Sequence, residues 1–185
     1  YYSFLLLLLT GCDEKKEQGM NKNDLKLNQI QVIGSHNSYR IHPVQDMFNL
    51  MTGLNPELAA ELDYGHPSFD VQFSQHGIRQ IEIDVYHDPE GGLFYNQRGN
   101  LFIGLPVPSG IEELLDPGLK VLHFPDIDYR THYLTFIDAL TAVKTWSHDN
   151  PNHIPIFILV EAKEDGLANI YPSLSGFTQP LPFDR

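Results

Sequence analysis

Four short stretches carry the residues with chemistry to offer: IGSHNSY at 33–39, RQIEIDV at 79–85, KVLHFP at 120–125 and IFILVEAK at 156–163. Each is an apolar run that meets a histidine or a carboxylate at or near its end. In the second, period-two alternation puts Glu82 and Asp84 on one face of a strand and Ile81, Ile83 and Val85 on the other. Two carboxylates about 7 Å apart on an inward face are costly unless a cation compensates them. Glu161 ends the fourth run, and Lys163 shares its face two positions on, as a counter-ion for Glu161 or Glu82 or as a phosphate-binding cation. With Asn37 added, the donors are hard oxygens, which suit calcium or magnesium rather than zinc. Calcium tolerates the irregular geometry better. His36 and His123 are then left for proton transfer and for stabilising an anionic phosphate, a division that suits phosphodiester cleavage.

Such residues need a scaffold that gathers strand ends. Apolar runs at 29–33, 78–85, 119–124 and 154–162 have strand length and composition. Helical spacing fills 46–63, with breaks expected at Gly53 and Pro56, then 68–76, and most clearly 134–147. Residues 90–110 read as an inserted loop or hairpin. Strand alternating with helix predicts an α/β fold with a parallel sheet. A barrel of eight such units needs about 250 residues, so about four units imply the N-terminal half of one, with an open edge beside the last strand.

The set GSHNSY at 34–39, Glu82-Ile83-Asp84, Val121-Leu122-His123 and Val160-Glu161 resembles the catalytic half of calcium-dependent phosphoinositide-specific phospholipase C, in its bacterial branch. The resemblance spans about residues 28–165. It implies a (β/α)8 TIM-barrel fold with the site at the C-terminal ends of the strands, and it implies that Asn37, Glu82, Asp84 and Glu161 bind calcium. The calcium acidifies the inositol 2-hydroxyl, which attacks the neighbouring phosphorus while Glu161 or Glu82 takes its proton. His123 protonates the diacylglycerol oxygen, and His36 stabilises the pentacoordinate phosphate. The basic residues that grip the headgroup in the second half of that barrel have no counterpart here, so the isolated stretch is expected to be inactive. Lys163 resembles the Glu-x-Lys ending of glycerophosphodiester phosphodiesterases, an alternative substrate class, but those enzymes open on His-Arg where this chain has His36-Asn37. A surface lipoprotein that binds a phosphorylated ligand without turnover is the non-enzymatic alternative. A pair of histidines argues against it, because binding alone needs no acid at the leaving group.

The rest of the 185 residues sets bounds. A net charge of -12 excludes a counterion-displacing nucleic-acid binder. Cys12 is the only cysteine, so no internal disulfide forms. FLLLLLTGC at 4–12 has the shape of a secretory apolar core and resembles a bacterial lipobox, with Cys12 the lipidated residue. That reading gives a signal peptide over 1–12, incomplete at its start, a polar tether over 13–28, and an exported, lipid-anchored protein of the cell envelope. His87 and Asp88 follow the carboxylate strand directly and are secondary site candidates. Phe94, Tyr95 and Phe102 fall in the insertion, where core packing or lipid contact are both open to them.

Overall fold

The computed structural model describes residues 26–172 and 176–183. The signal-peptide and lipidation readings, and nearly all of the tether, lie outside them. Two units divide at Gln31 and Val32. The described part of the first holds a single 3-10 turn, Leu27–Gln29. Everything below concerns the second.

Its frame is a three-stranded parallel sheet in the order β1 (Ile33–Gly34), β2 (Ile78–Tyr86), β3 (Phe157–Lys163). Before β2 come α1 (Gln45–Leu54), α2 (Pro56–Glu61) and α3 (Phe69–Gln75); α4 (Phe136–Asp149) precedes β3, and α5 (Leu167–Ile170) follows it. Of the two expected breaks in the long helical stretch, the one at Pro56 is found and the one at Gly53 is not, since α1 runs through Gly53 to Leu54. Asn55 ends α1 and caps α2 by accepting a bond from Leu58 N–H, with Pro56 in the first turn, where its missing N–H costs nothing. α4 begins in a capping box, the Thr135 hydroxyl and the Asp138 carboxylate each taking the other's backbone N–H. Among the described residues, no helix is long and apolar enough to cross a membrane.

Alternation along β2 divides the molecule. Ile81, Ile83 and Val85 are buried against Phe69 and Phe73 of α3 and Val143 and Trp146 of α4. Fully burying each such side chain contributes about 1.5–3 kcal/mol, so this face fixes the register of the strand. The opposite face, with Glu82 and Asp84, is committed by default.

One expected element is corrected. Residues 119–124 do not form a strand of the sheet: β2 pairs directly with β3, in register from Gln80↔Phe157 to Tyr86↔Lys163. On its other side, β2 is covered by β1 and then by the loop that follows, through Ser35 N–H to Gln80 O and Ser38 N–H to Glu82 O. Beyond that loop the strand ends at Tyr86. Lys120 crosses there antiparallel, the two residues exchanging N–H···O bonds of 2.8 and 3.0 Å. Val121 and Leu122 are buried, which explains the apolar signal, yet they pack from a crossing segment rather than a ladder. The first strand is also shorter than the run 29–33 suggested.

The insertion behaves as a loop with a hairpin-like neck. Asn96 and Pro108 bridge antiparallel around a 3-10 helix, Arg98–Ile103. Phe94 is fully buried against Tyr86, while Phe102 is exposed and stacks on Phe177.

Candidate metal and catalytic site

Register brings the carboxylates together. Asp84 and Glu161 are direct cross-strand partners, one strand spacing apart, and Glu82 lies two residues back on the same face as Asp84. Oxygens of Glu82, Asp84 and Glu161 lie within 4.8 Å of one another. Glu82 and Asp84 are buried, whereas the Glu161 side chain is 50% exposed on the rim.

Asp84 is the anomalous member. Neither of its buried carboxylate oxygens has a hydrogen-bond partner, an arrangement that costs free energy unless something positive occupies the space. Burial pushes its carboxyl above the usual aspartate range; the Lys163 ammonium works against that shift and the Glu161 charge adds to it. Lys163 Nζ sits 3.6 Å from Asp84 Oδ2 and 3.4 Å from Glu161 Oε1, so the lysine meets Asp84 and Glu161, not Glu82. A hard divalent cation fits this donor set, and its charge would compensate the carboxylates more fully than the one ammonium does.

The loop after β1 carries His36 and Asn37 to the level of Glu82. Ser38 clamps it, donating its N–H to Glu82 O and accepting the Glu82 N–H at its Oγ. Asn37 adopts the left-handed conformation, φ 48, which asparagine tolerates well. Its buried amide nitrogen donates to the Tyr64 hydroxyl at 2.8 Å, and its oxygen faces the Tyr39 hydroxyl at a long 3.4 Å. Burial and the neighbouring Asp84 push the Tyr39 phenol far above the ordinary tyrosine range, so it stays a neutral donor. His36 is open to solvent, 69% exposed, with Nε2 3.6 Å from Glu82 Oε1 and Nδ1 3.3 Å from the Tyr64 hydroxyl. The His66 ring donates through Nε2 to His36 O at 2.8 Å. A cleft opens here, lined by His36, Tyr64, His66 and Gln72.

His123 follows the crossing segment rather than ending a strand. The Tyr86 hydroxyl donates to Asp165 O at 2.9 Å, with His123 O next to it at 3.3 Å as a second, longer acceptor. A tight turn then returns the chain, Phe124 and Asp128 exchanging two 3.0 Å backbone bonds, with Asp126 in the left-handed region at φ 72. The turn puts Asp128 Oδ2 2.7 Å from His123 Nδ1. The same oxygen accepts from Arg40 Nε at 2.7 Å, both side chains being wholly buried. Arg40 continues to Tyr64, donating to its carbonyl and lying 4.6 Å over its ring.

Sequence reasoning missed Tyr39, Arg40, Tyr64, Asp128 and Tyr86, which position the others. Tyr39 closes the GSHNSY stretch without a role being read for it, and Asp128 is an acidic residue close behind His123. The secondary candidates point elsewhere: His87 bonds Pro182 O and stacks on Phe183, and buried Asp88 pairs with Lys120 at 3.5 Å.

The family model described as phosphoinositide phospholipase C, calcium-dependent, matches residues 25–185. No curated protein and no solved structure matches the chain. A match over most of the sequence, on a chain that converges three carboxylates between β2 and β3, means that the protein belongs to the calcium-dependent phosphoinositide phospholipase C family.

Proposed function

We propose that the protein is a calcium-dependent phosphoric diester hydrolase that cleaves phosphoinositide-type phospholipids, with Glu82, Asp84, Glu161 and Asn37 holding the cation. The observation that carries this reading is Asp84, a buried carboxylate with no hydrogen-bond partner on either oxygen and only the Lys163 ammonium, 3.6 Å away, to offset its charge, beside two further carboxylates of a parallel sheet. Calcium bound there supplies positive charge that acidifies a nearby hydroxyl and offsets charge on the phosphate.

The chain's own residues do the rest. In the proposed reaction the inositol 2-oxygen forms a bond to phosphorus, and the bond from phosphorus to the diacylglycerol oxygen breaks. Glu82 or Glu161 receives the hydroxyl proton, and His123 delivers one to the departing oxygen. His36, exposed at the mouth and 3.6 Å from Glu82, faces the phosphate as a donor. Lys163 lies within the carboxylate cluster, which supports a counter-ion role over a headgroup-binding one. The scaffold in this reading is part of a TIM barrel, with the site at the C-terminal ends of its strands. Cys12 would anchor it by lipid to the outer face of a bacterial membrane, beside its substrate.

The test uses the protein expressed from its whole reading frame without lipid. It is incubated with phosphatidylinositol in mixed micelles, with calcium or a chelator, and the water-soluble phosphate product is identified. Calcium-dependent release of cyclic inositol phosphate is expected. Hydrolysis of glycerophosphodiesters instead, with phosphatidylinositol untouched, overturns the substrate class.

A further inference from the structure

The two histidines are wired differently, and the wiring specifies which nitrogen of each carries a proton. Asp128 can only accept when ionised, and its Oδ2 stands 2.7 Å from His123 Nδ1. Arg40, always cationic, donates to that same oxygen at 2.7 Å, in a buried pair that fixes the carboxylate's position. The proton of neutral His123 must therefore sit on Nδ1, which leaves Nε2 as the atom that can gain or lose one.

Around His36 the donor lies on the other side. The Tyr64 hydroxyl oxygen accepts from Asn37 Nδ2 at 2.8 Å, an amide nitrogen that can only donate. The single hydroxyl hydrogen of Tyr64 is thus free to be given to His36 Nδ1, 3.3 Å away. His36 Nδ1 then accepts, and the ring proton stays on Nε2, which faces Glu82 Oε1 at 3.6 Å.

We infer that Asp128 and Tyr64 are positioning residues that lock the two histidines in opposite tautomers, His123 as Nδ1–H and His36 as Nε2–H. Arg40 couples the two halves, since it holds Asp128 through Nε and the Tyr64 carbonyl through its guanidinium terminus. The inference builds on the proposed roles of the histidines and explains their division. A fixed Nε2–H at His36 is a permanent donor to an anionic phosphate oxygen. At His123, with Nδ1–H held from behind by a carboxylate, Nε2 is the nitrogen that carries the proton given to the leaving oxygen, and it is bare once that proton has gone.

The experiment is long-range nitrogen–proton NMR of the imidazoles in the intact protein, at a pH where both rings are neutral, together with steady-state turnover of Tyr64→Phe and Asp128→Asn. Expected are an Nδ1–H signature for His123 and an Nε2–H signature for His36. In Tyr64→Phe the His36 ring should move to a tautomer mixture while His123 is unchanged, with kcat down about tenfold at constant KM. In Asp128→Asn, Arg40 demands an acceptor where Oδ2 stood, so the amide oxygen takes that position. His123 keeps Nδ1–H and kcat still falls, because the carboxylate charge is gone. An Nε2–H signature for His123 or an Nδ1–H signature for His36 in the unmodified protein overturns the inference whether or not the variants fold, and so does an unchanged His36 in folded Tyr64→Phe. Expected tautomers without any lipid turnover leave the wiring standing and count against the proposed reaction instead.

Discussion

Lys163 holds its ammonium 3.6 Å from the Asp84 carboxylate, inside the cluster that would receive a divalent cation. A fixed positive charge there offsets the carboxylates before any metal arrives and competes with the metal when it does. Lys163→Gln should therefore destabilise the calcium-free protein while tightening calcium about tenfold, roughly 1.4 kcal/mol. Titration calorimetry and calcium-free thermal melts check both. Unchanged calcium affinity with a raised KM would instead assign Lys163 to the substrate.

Asp84 should show the opposite trade. Its two oxygens are buried without hydrogen-bond partners, so Asp84→Asn is expected to stabilise the calcium-free protein by about 1 kcal/mol and to abolish the calcium-induced rise in Tm. The pH dependence has a definite sign. Burial raises this carboxyl above the ordinary 3.8, so between the two values the folded chain binds more protons than the unfolded one. Its contribution to calcium-free stability therefore falls as pH rises through that window and stays low above it. The difference in Tm between Asp84→Asn and the unmodified protein should widen over the same range. A constant difference from pH 4 to pH 8 would remove burial of Asp84 as its cause.

Ile83 carries the register of the site. It is fully buried between Glu82 and Asp84 in sequence, on the opposite face of the strand. Ile83→Ala should cost about 2–4 kcal/mol by opening a cavity beneath β2, measured by urea unfolding. Calcium should recover part of the loss, because binding to the folded state alone stabilises it. A cost under about 1 kcal/mol would mean that this face does not anchor the strand.

How far the sequence reveals this architecture depends on the range of each interaction. Alternation along β2 is local, so the sequence could separate Ile81, Ile83 and Val85 from Glu82 and Asp84, and the helix break at Pro56 is an equally local signal, whereas Gly53 stays helical. The pairing of Asp84 with Glu161 is not local, and the sequence, which offered a further strand at 119–124 between theirs in chain order, did not predict it. What failed was the segment 119–124: its buried Val121 and Leu122 give the same pattern whether it joins the sheet or crosses its end. The outcome turns on which edge of β2 is already occupied, a fact carried by distant residues. Arg40 and Tyr64 were illegible for a related reason. A buried arginine and a solvated one look alike until Asp128, 88 residues away, is brought against it.

The central claim is that Glu82, Asp84 and Glu161 hold a calcium ion that the reaction requires. The most direct test measures calcium affinity by calorimetry and phosphatidylinositol turnover across the same calcium range, in the unmodified protein and in Glu82→Gln. The account predicts that turnover half-saturates at the calcium concentration that half-fills the site, and that Glu82→Gln shifts both at least tenfold higher together. Turnover that persists in chelator, or a folded protein that takes up no calcium, would contradict it.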